Sequence, residues 1–133
     1  MHSLINTYMK TNLRIHIVLV TKYRKAILTP ELMDFCIEKI INELERIGCE
    51  VIAISGDDYN HIHVMAKIRP TQSISLVVQL IKQVTTYHCW QQFPEYLRQY
   101  YWHRNYLWSS GYFCSTIGDA SSETVQKYIE YQG

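Results

Sequence analysis

Two short patterns in this chain carry side chains suited to chemistry on a phosphate: His61-Ile62-His63, and Tyr128 four residues before Gln132. In a β-strand alternate side chains share a face, so His61 and His63 stand side by side, about 6.6 Å apart at their Cα atoms. Two imidazoles at that separation can converge on one divalent ion. On a helix, residues four apart lie one turn apart on the same face, so the Tyr128 phenol and the Gln132 carboxamide are presented together. Two imidazoles and a carboxamide form a neutral, incomplete ligand set. It leaves positions for a phosphate oxygen and water on Mg²⁺ or Mn²⁺. A tyrosine beside such an ion is a nucleophile for a phosphodiester. Its free pKa of about 10 requires activation, which a metal assists by polarising the phosphate. Each pattern alone is more often structural; the combination carries the reading.

The elements that must position these groups follow from patterning. Arg14–Lys22 is rich in β-branched residues and reads as a strand. Thr29-Pro30-Glu31 starts a helix with a hydroxyl cap, Pro at its first position and an acid in its first turn. Leu32, Phe35, Cys36, Ile40, Leu44 and Ile47 form its apolar stripe, Asp34, Glu38, Lys39, Glu43, Glu45 and Arg46 its outer face, and Gly48 stops it. Glu50–Ser55 is a second strand, residues 56–60 a turn, and His61–Arg69 a third strand closed by Pro70. In that third strand Ile62, Val64, Ala66 and Ile68 face the core, leaving the histidines on the opposite face. Ser73 caps a helix running to about Phe93, with Leu76, Leu80, Val84 and Tyr87 or His88 expected inward. Arg98–Leu107 is aromatic and basic, without an assigned conformation. Trp108–Ile117 reads as a fourth strand broken near Gly111, Gly118-Asp119-Ala120 as a joint, and Ser121 or Ser122 as the cap of a last helix over about 121–133.

The order β-α-β-β-α-β-α predicts an α/β (α+β) domain: a ferredoxin-like split β-α-β antiparallel sheet with an added C-terminal helix carrying the tyrosine. The histidines belong on its helix-free face. Exposed sheet edges need pairing or cover, so the apolar strand Ile15–Val20 is expected to form a continuous sheet across a twofold axis.

Composition limits the alternatives. The 133 residues suit one domain, 1–133, and the 47% apolar content argues against disorder. The net charge of +1 names no partner, but the charge is segregated. Residues 1–25 hold five basic side chains and no acid; residues 31–58 hold eight of the twelve acids. No apolar run approaches the roughly 18 residues of a membrane span. The first residues lack the regions of a signal peptide. Cys36, Cys49, Cys89 and Cys114 show no C-x-x-C spacing and read as small buried side chains. These features imply a cytoplasmic protein without a membrane partner.

The ordered set of motifs resembles a single-tyrosine HUH transposase of the smallest bacterial and archaeal insertion sequences. His61-Ile62-His63 matches its His-hydrophobe-His signature and Tyr128-Ile129-Glu130-Tyr131-Gln132 its Tyr-x-x-x-Gln helix; Thr21-Lys22-Tyr23-Arg24 and Leu107-Trp108-Ser109-Ser110-Gly111-Tyr112-Phe113 extend the match. The resemblance implies that His61, His63 and Gln132 bind the metal and that Tyr128 attacks DNA. It also implies cleavage and rejoining of single-stranded DNA through a 5′-phosphotyrosine, recognition of hairpins at element ends, and a homodimer. A composite site is expected, with His61 and His63 from one subunit and Tyr128 and Gln132 from the other. No nucleotide cofactor is needed, and no phosphate-cradling G-x-x-x-x-G-K-[ST] loop is written here. Before the histidines, where relatives often carry a Pro-Asp-His type turn, this chain has Gly56-Asp57-Asp58-Tyr59-Asn60. There Asp58 is an extra ligand or, the favoured reading, a turn residue. Lys10, Arg14, Lys22, Arg24, Lys25, Arg98, His103 and Arg104 are candidates for phosphate contact. Tyr100, Tyr101, Trp102, Tyr106 and Trp108 are candidates for stacking on unpaired bases. The rival readings are a non-catalytic nucleic-acid-binding module of the same fold, a relaxase or plasmid-replication domain, and a domesticated endonuclease acting on host repeats.

Overall fold

Alternating branched residues make the first strand. In the computed structural model, which describes residues 12–117 and 124–126, Leu13–Val20 forms β1, with Ile15, Ile17 and Leu19 fully buried and Arg14, His16 and Val18 on the other face. Thr29 caps α1 (Pro30–Arg46): its Oγ1 accepts the Leu32 amide at 3.3 Å, and Pro30 sits where no amide hydrogen is required. Leu32, Cys36, Ile40 and Leu44 form the buried stripe of α1. Gly48 follows at φ +87°, the left-handed conformation that ends many helices. Glu43 departs from the expected outer face. Its carboxylate is held by Arg46 through two hydrogen bonds of 3.0 and 2.6 Å, and the residue is buried.

Next come β2 (Glu50–Asp57), β3 (His61–Ile68) and α2 (Ile74–Gln92), whose Ser73 cap accepts the Leu76 amide at 3.2 Å. A short α3 (Pro94–Arg98), β4 (Phe113–Ile117) and β5 (Thr124–Gln126) complete the described elements. The strands lie in the order β2-β3-β1-β4-β5, every neighbouring pair antiparallel. The first four have the order of the expected ferredoxin-like sheet. One apolar core joins the inner residues of β1 and β3 to the stripes of α1 and α2. Among the described residues, no helix is long and apolar enough to cross a membrane.

Three expectations need correction. First, β1 is not an edge. It pairs along its whole length with β3 and over Arg14–Val18 with β4, so both its ladders are satisfied and Ile15–Val20 cannot extend a sheet across a twofold axis. Second, α2 turns a different face inward. Val77, Val78, Ile81, Thr85 and Cys89 are buried, while Leu76 is 51% and Tyr87 60% exposed. Both sides of this helix are apolar, so periodicity does not choose between them. The small side chains at Thr85 and Cys89 do, because they let α2 approach closely; the Cys89 and Cys36 sulfurs lie 3.4 Å apart. Third, Thr124–Gln126 is not helical: it pairs with β4 from Ser115 to Ile117. The rest of the expected last helix, with Tyr128 and Gln132, lies outside the described residues, as does Lys10.

The broken fourth strand is present. Thr21 bridges to Trp108, and the strand resumes at Phe113. Across the gap Lys82 Nζ donates to the Ser109 and Gly111 carbonyls, each at 2.8 Å. Burial, and then nearby Lys22, pushes the Lys82 pKa down to about 8. Trp108 is itself a core residue: its Nε1 donates to Thr85 Oγ1 at 2.7 Å, and that hydroxyl donates onward to the Ile81 carbonyl at 2.7 Å. Thr85→Val keeps the shape and removes the acceptor, leaving a buried indole N–H without a partner. The expected cost is about 1–3 kcal/mol, read as a lower urea midpoint with an unchanged m-value.

Candidate active site

The β2–β3 hairpin builds the site. Its turn places Asp58 and Tyr59 at φ 53° and 59°, and the Asn60 amide closes it on the Asp57 carbonyl at 3.2 Å. Asp tolerates the left-handed region because its short side chain hydrogen-bonds locally. Asp58 is therefore a turn residue. The register then sets Asp57 opposite His61 and Ser55 opposite His63. Alternation along β3 buries Ile62, Val64, Ala66 and Ile68 and leaves His61 and His63 on the helix-free face, as expected.

Both imidazoles turn Nε2 toward one carboxylate. Asp57 Oδ2 lies 3.9 Å from His61 Nε2 and 3.8 Å from His63 Nε2. A ligand atom from each of the three residues lies within 4.8 Å of the others. The far side of each ring is engaged as well. His61 Nδ1 contacts Asn60 Oδ1, and His63 Nδ1 lies 3.1 Å from His16 Nε2. Metal-binding histidines characteristically use one ring nitrogen for the ion and the other for an orienting hydrogen bond. Two imidazoles and one carboxylate also suit Mn²⁺, Mg²⁺ or a related divalent ion. The residues present thus fit a divalent cation. Burial, and after it His63, holds His16 below the usual histidine pKa.

Asp57 and His16 were not singled out from the sequence. The signal for His16 was present: the alternation that assigns Ile15, Ile17 and Leu19 to the core assigns His16 to the face of His61 and His63. The signal for Asp57 was the hairpin register, which the turn length alone leaves open.

Basic and aromatic groups gather at the same end of the sheet. A 3-10 turn (Lys22–Arg24) follows β1 directly and is tied to the hairpin. The Thr21 amide donates to the Asn60 carbonyl at 2.9 Å, and Asn60 Nδ2 to the Arg24 carbonyl at 3.3 Å. Lys22 Nζ stands 4.6 Å from the Tyr106 ring centroid and 5.3 Å from that of Tyr23. Tyr23 is 54% and Trp102 76% exposed; Trp102 packs against His103 with the two rings tilted by 54°, and His103 meets Tyr106 edge-on. Arg24 and Arg104 are exposed and Lys25 half-buried. Arg14 lies at the opposite end of β1, across from Lys67, and Arg98 is within 3.9 Å of Glu95. Tyr101 and Trp108 are buried, so neither ring can stack on a base; the Tyr101 hydroxyl instead donates to the Lys22 carbonyl at 2.7 Å.

Known proteins resemble this chain in sequence and in fold. Over residues 9–132 the chain matches the family described as Transposase IS200 like. It is similar to the ISDra2 transposase TnpA of Deinococcus radiodurans, 28% identical over 120 residues that cover 90% of this chain and 84% of that one. A transposase for insertion sequence element IS200 from Salmonella typhimurium is 28% identical over 129 residues, covering 91% of this chain and 77% of that one. A crystallised Deinococcus radiodurans chain assigned as a transposase has the same fold, with a TM-score of 0.72 at 24% identity and 81% of each chain covered.

Proposed function

Because this chain belongs to the IS200-like transposase family, we propose that it cuts and rejoins single-stranded DNA at hairpin-bearing insertion-sequence ends, with Tyr128 as nucleophile and a divalent cation, Mg²⁺ or Mn²⁺, held by His61, His63 and Gln132. Asp57 joins that ligand set. The observation that carries the reading is the convergence of both Nε2 atoms on the Asp57 carboxylate.

The step balances without an external energy source. The Tyr128 oxygen forms a bond to the scissile phosphorus and gives up its proton. The bond from phosphorus to the 3′ oxygen breaks, and that oxygen takes a proton. The products are a 5′-phosphotyrosine and a free 3′-OH; attack by a 3′-OH on the phosphotyrosine reverses the step and joins strands. A bound cation supplies Lewis-acid polarisation of the phosphate oxygens. His61, His63 and Asp57 hold one wall of the site rigid, since they sit on paired strands.

Lys22, Arg24, Lys25 and Arg104 are proposed to take the phosphates entering the site, and Lys10, Arg14 and Arg98 are proposed as further phosphate contacts. Tyr23 and Trp102 are proposed to stack on unpaired bases. A homodimer is proposed, its composite site combining the histidines of one subunit with Tyr128 and Gln132 of the other.

The test is incubation with labelled single-stranded oligonucleotides carrying an element-end hairpin. A covalent protein–DNA product that survives denaturing electrophoresis is expected with Mg²⁺ or Mn²⁺ and is lost with a chelator. A chain that binds the hairpin but yields no covalent product with any divalent metal is a binding module, and the proposal fails.

A further inference from the structure

His16 lies outside the proposed ligand set, yet its ring is within hydrogen-bond distance of one member, His63. It sits at the middle of β1, the central strand, paired with Met65 on one side and Ser115 on the other. Its backbone is therefore fixed through both ladders. Its Nε2 lies 3.1 Å from His63 Nδ1, with the two rings 23° from parallel and their centroids 5.3 Å apart.

A neutral imidazole has one N–H and one lone pair, so the single hydrogen bond between these rings decides the tautomer of both. If His63 Nδ1–H donates to His16 Nε2, the His63 Nε2 lone pair faces Asp57. If His16 donates instead, His63 Nε2 carries a hydrogen toward Asp57 Oδ2 at 3.8 Å, beyond hydrogen-bond distance and useless as a metal ligand. On the other histidine the corresponding partner is Asn60 Oδ1, an acceptor only, which places the proton on His61 Nδ1 and the lone pair on Nε2. The two rings then point equivalent lone pairs into one space.

We infer that His16 is a positioning residue of the site: by accepting the His63 Nδ1–H it holds His63 in the tautomer and orientation that present Nε2 to a divalent cation. The inference rests on the proposal that His61, His63 and Asp57 bind that cation. Outer-shell partners of this kind are worth about 10–100-fold in metal affinity.

Two variants and two readouts test it. His16→Phe keeps a ring against His63 and removes the acceptor; His16→Gln restores an acceptor near the Nε2 position. Long-range ¹H–¹⁵N spectra of the metal-free chain at pH 8 report the His63 tautomer, and titration with Mn²⁺ alone reports affinity. In the wild type the His63 proton is expected on Nδ1. Mn²⁺ affinity is expected to fall about 10–100-fold in His16→Phe and to recover in His16→Gln. The inference is overturned by a wild-type proton on His63 Nε2, by unchanged Mn²⁺ binding in His16→Phe, or by equal losses in both variants, which would mark a packing role. Failure of the metal proposal looks different: the wild type takes up no Mn²⁺, while the His63 tautomer still responds to His16→Phe.

Discussion

Tyr128→Phe is expected to abolish the covalent protein–DNA product while hairpin binding stays close to wild type. The substitution removes one hydroxyl and keeps the ring, so the fold and the phosphate contacts that dominate affinity survive. What is lost is the oxygen proposed to form the covalent bond. Loss of an enzymatic nucleophile removes several orders of magnitude in rate, here at least about a thousandfold in product formed with Mg²⁺. A product that persists moves the role to another group, with Tyr131 the first to examine. The same variant tests the composite site. In a mixed dimer, one subunit carries His61→Ala with His63→Ala and the other Tyr128→Phe. Shared sites leave one site intact and the product forms. Sites built within one subunit leave none, and a silent mixed dimer rules out the shared arrangement.

The second large effect is expected at the histidines. His61→Ala or His63→Ala removes one of two imidazoles that converge on Asp57 at 3.9 and 3.8 Å. A bound divalent ion is worth several kcal/mol of transition-state charge stabilisation. At about 1.4 kcal/mol per tenfold, cleavage should fall at least about a hundredfold, with Mn²⁺ affinity falling in parallel. Hairpin binding should change little, since the basic side chains near the 3-10 turn are untouched. Cleavage at the wild-type rate in either variant would remove the metal from the mechanism.

Much of this site was legible because a strand's two-residue period is strict. His61 and His63 had to share a face, and the run Ile62, Val64, Ala66, Ile68 decided which one. The Thr29-Pro30 start of α1 and the Ser73 cap of α2 were legible for a similar reason: caps are local hydrogen bonds between a side chain and an amide two or three residues on. What failed was long-range. Nothing local to Ile15–Val20 tells whether one ladder or two will be filled, so β1 read as an interface strand and proved central. Helix α2 is apolar on two sides, and the choice lay in how closely Cys89 and Thr85 allow their neighbours to pack. At Thr124–Gln126 a Ser-Ser-Glu cap pattern competed with a β-branched Thr-Val pair, and the unfilled side of β4 favoured the strand. Asp57 entered the site through a register that depends on two left-handed turn residues, one of them a tyrosine, a residue type that does not announce that conformation.

The central position of β1 also bears on when the site comes into being. Its partners are β3, from the middle of the chain, and β4, more than ninety residues after β1. Pairings between residues so distant in sequence are slow to close. On a nascent chain emerging from the ribosome, His16 and the hairpin histidines can meet before β4 arrives, but β1 then remains an open edge with one ladder unfilled. The platform becomes rigid only after Phe113–Ile117 docks. The proposed cutting surface is thus completed late in the chain's own synthesis, when the segment bearing Tyr128 is about to follow.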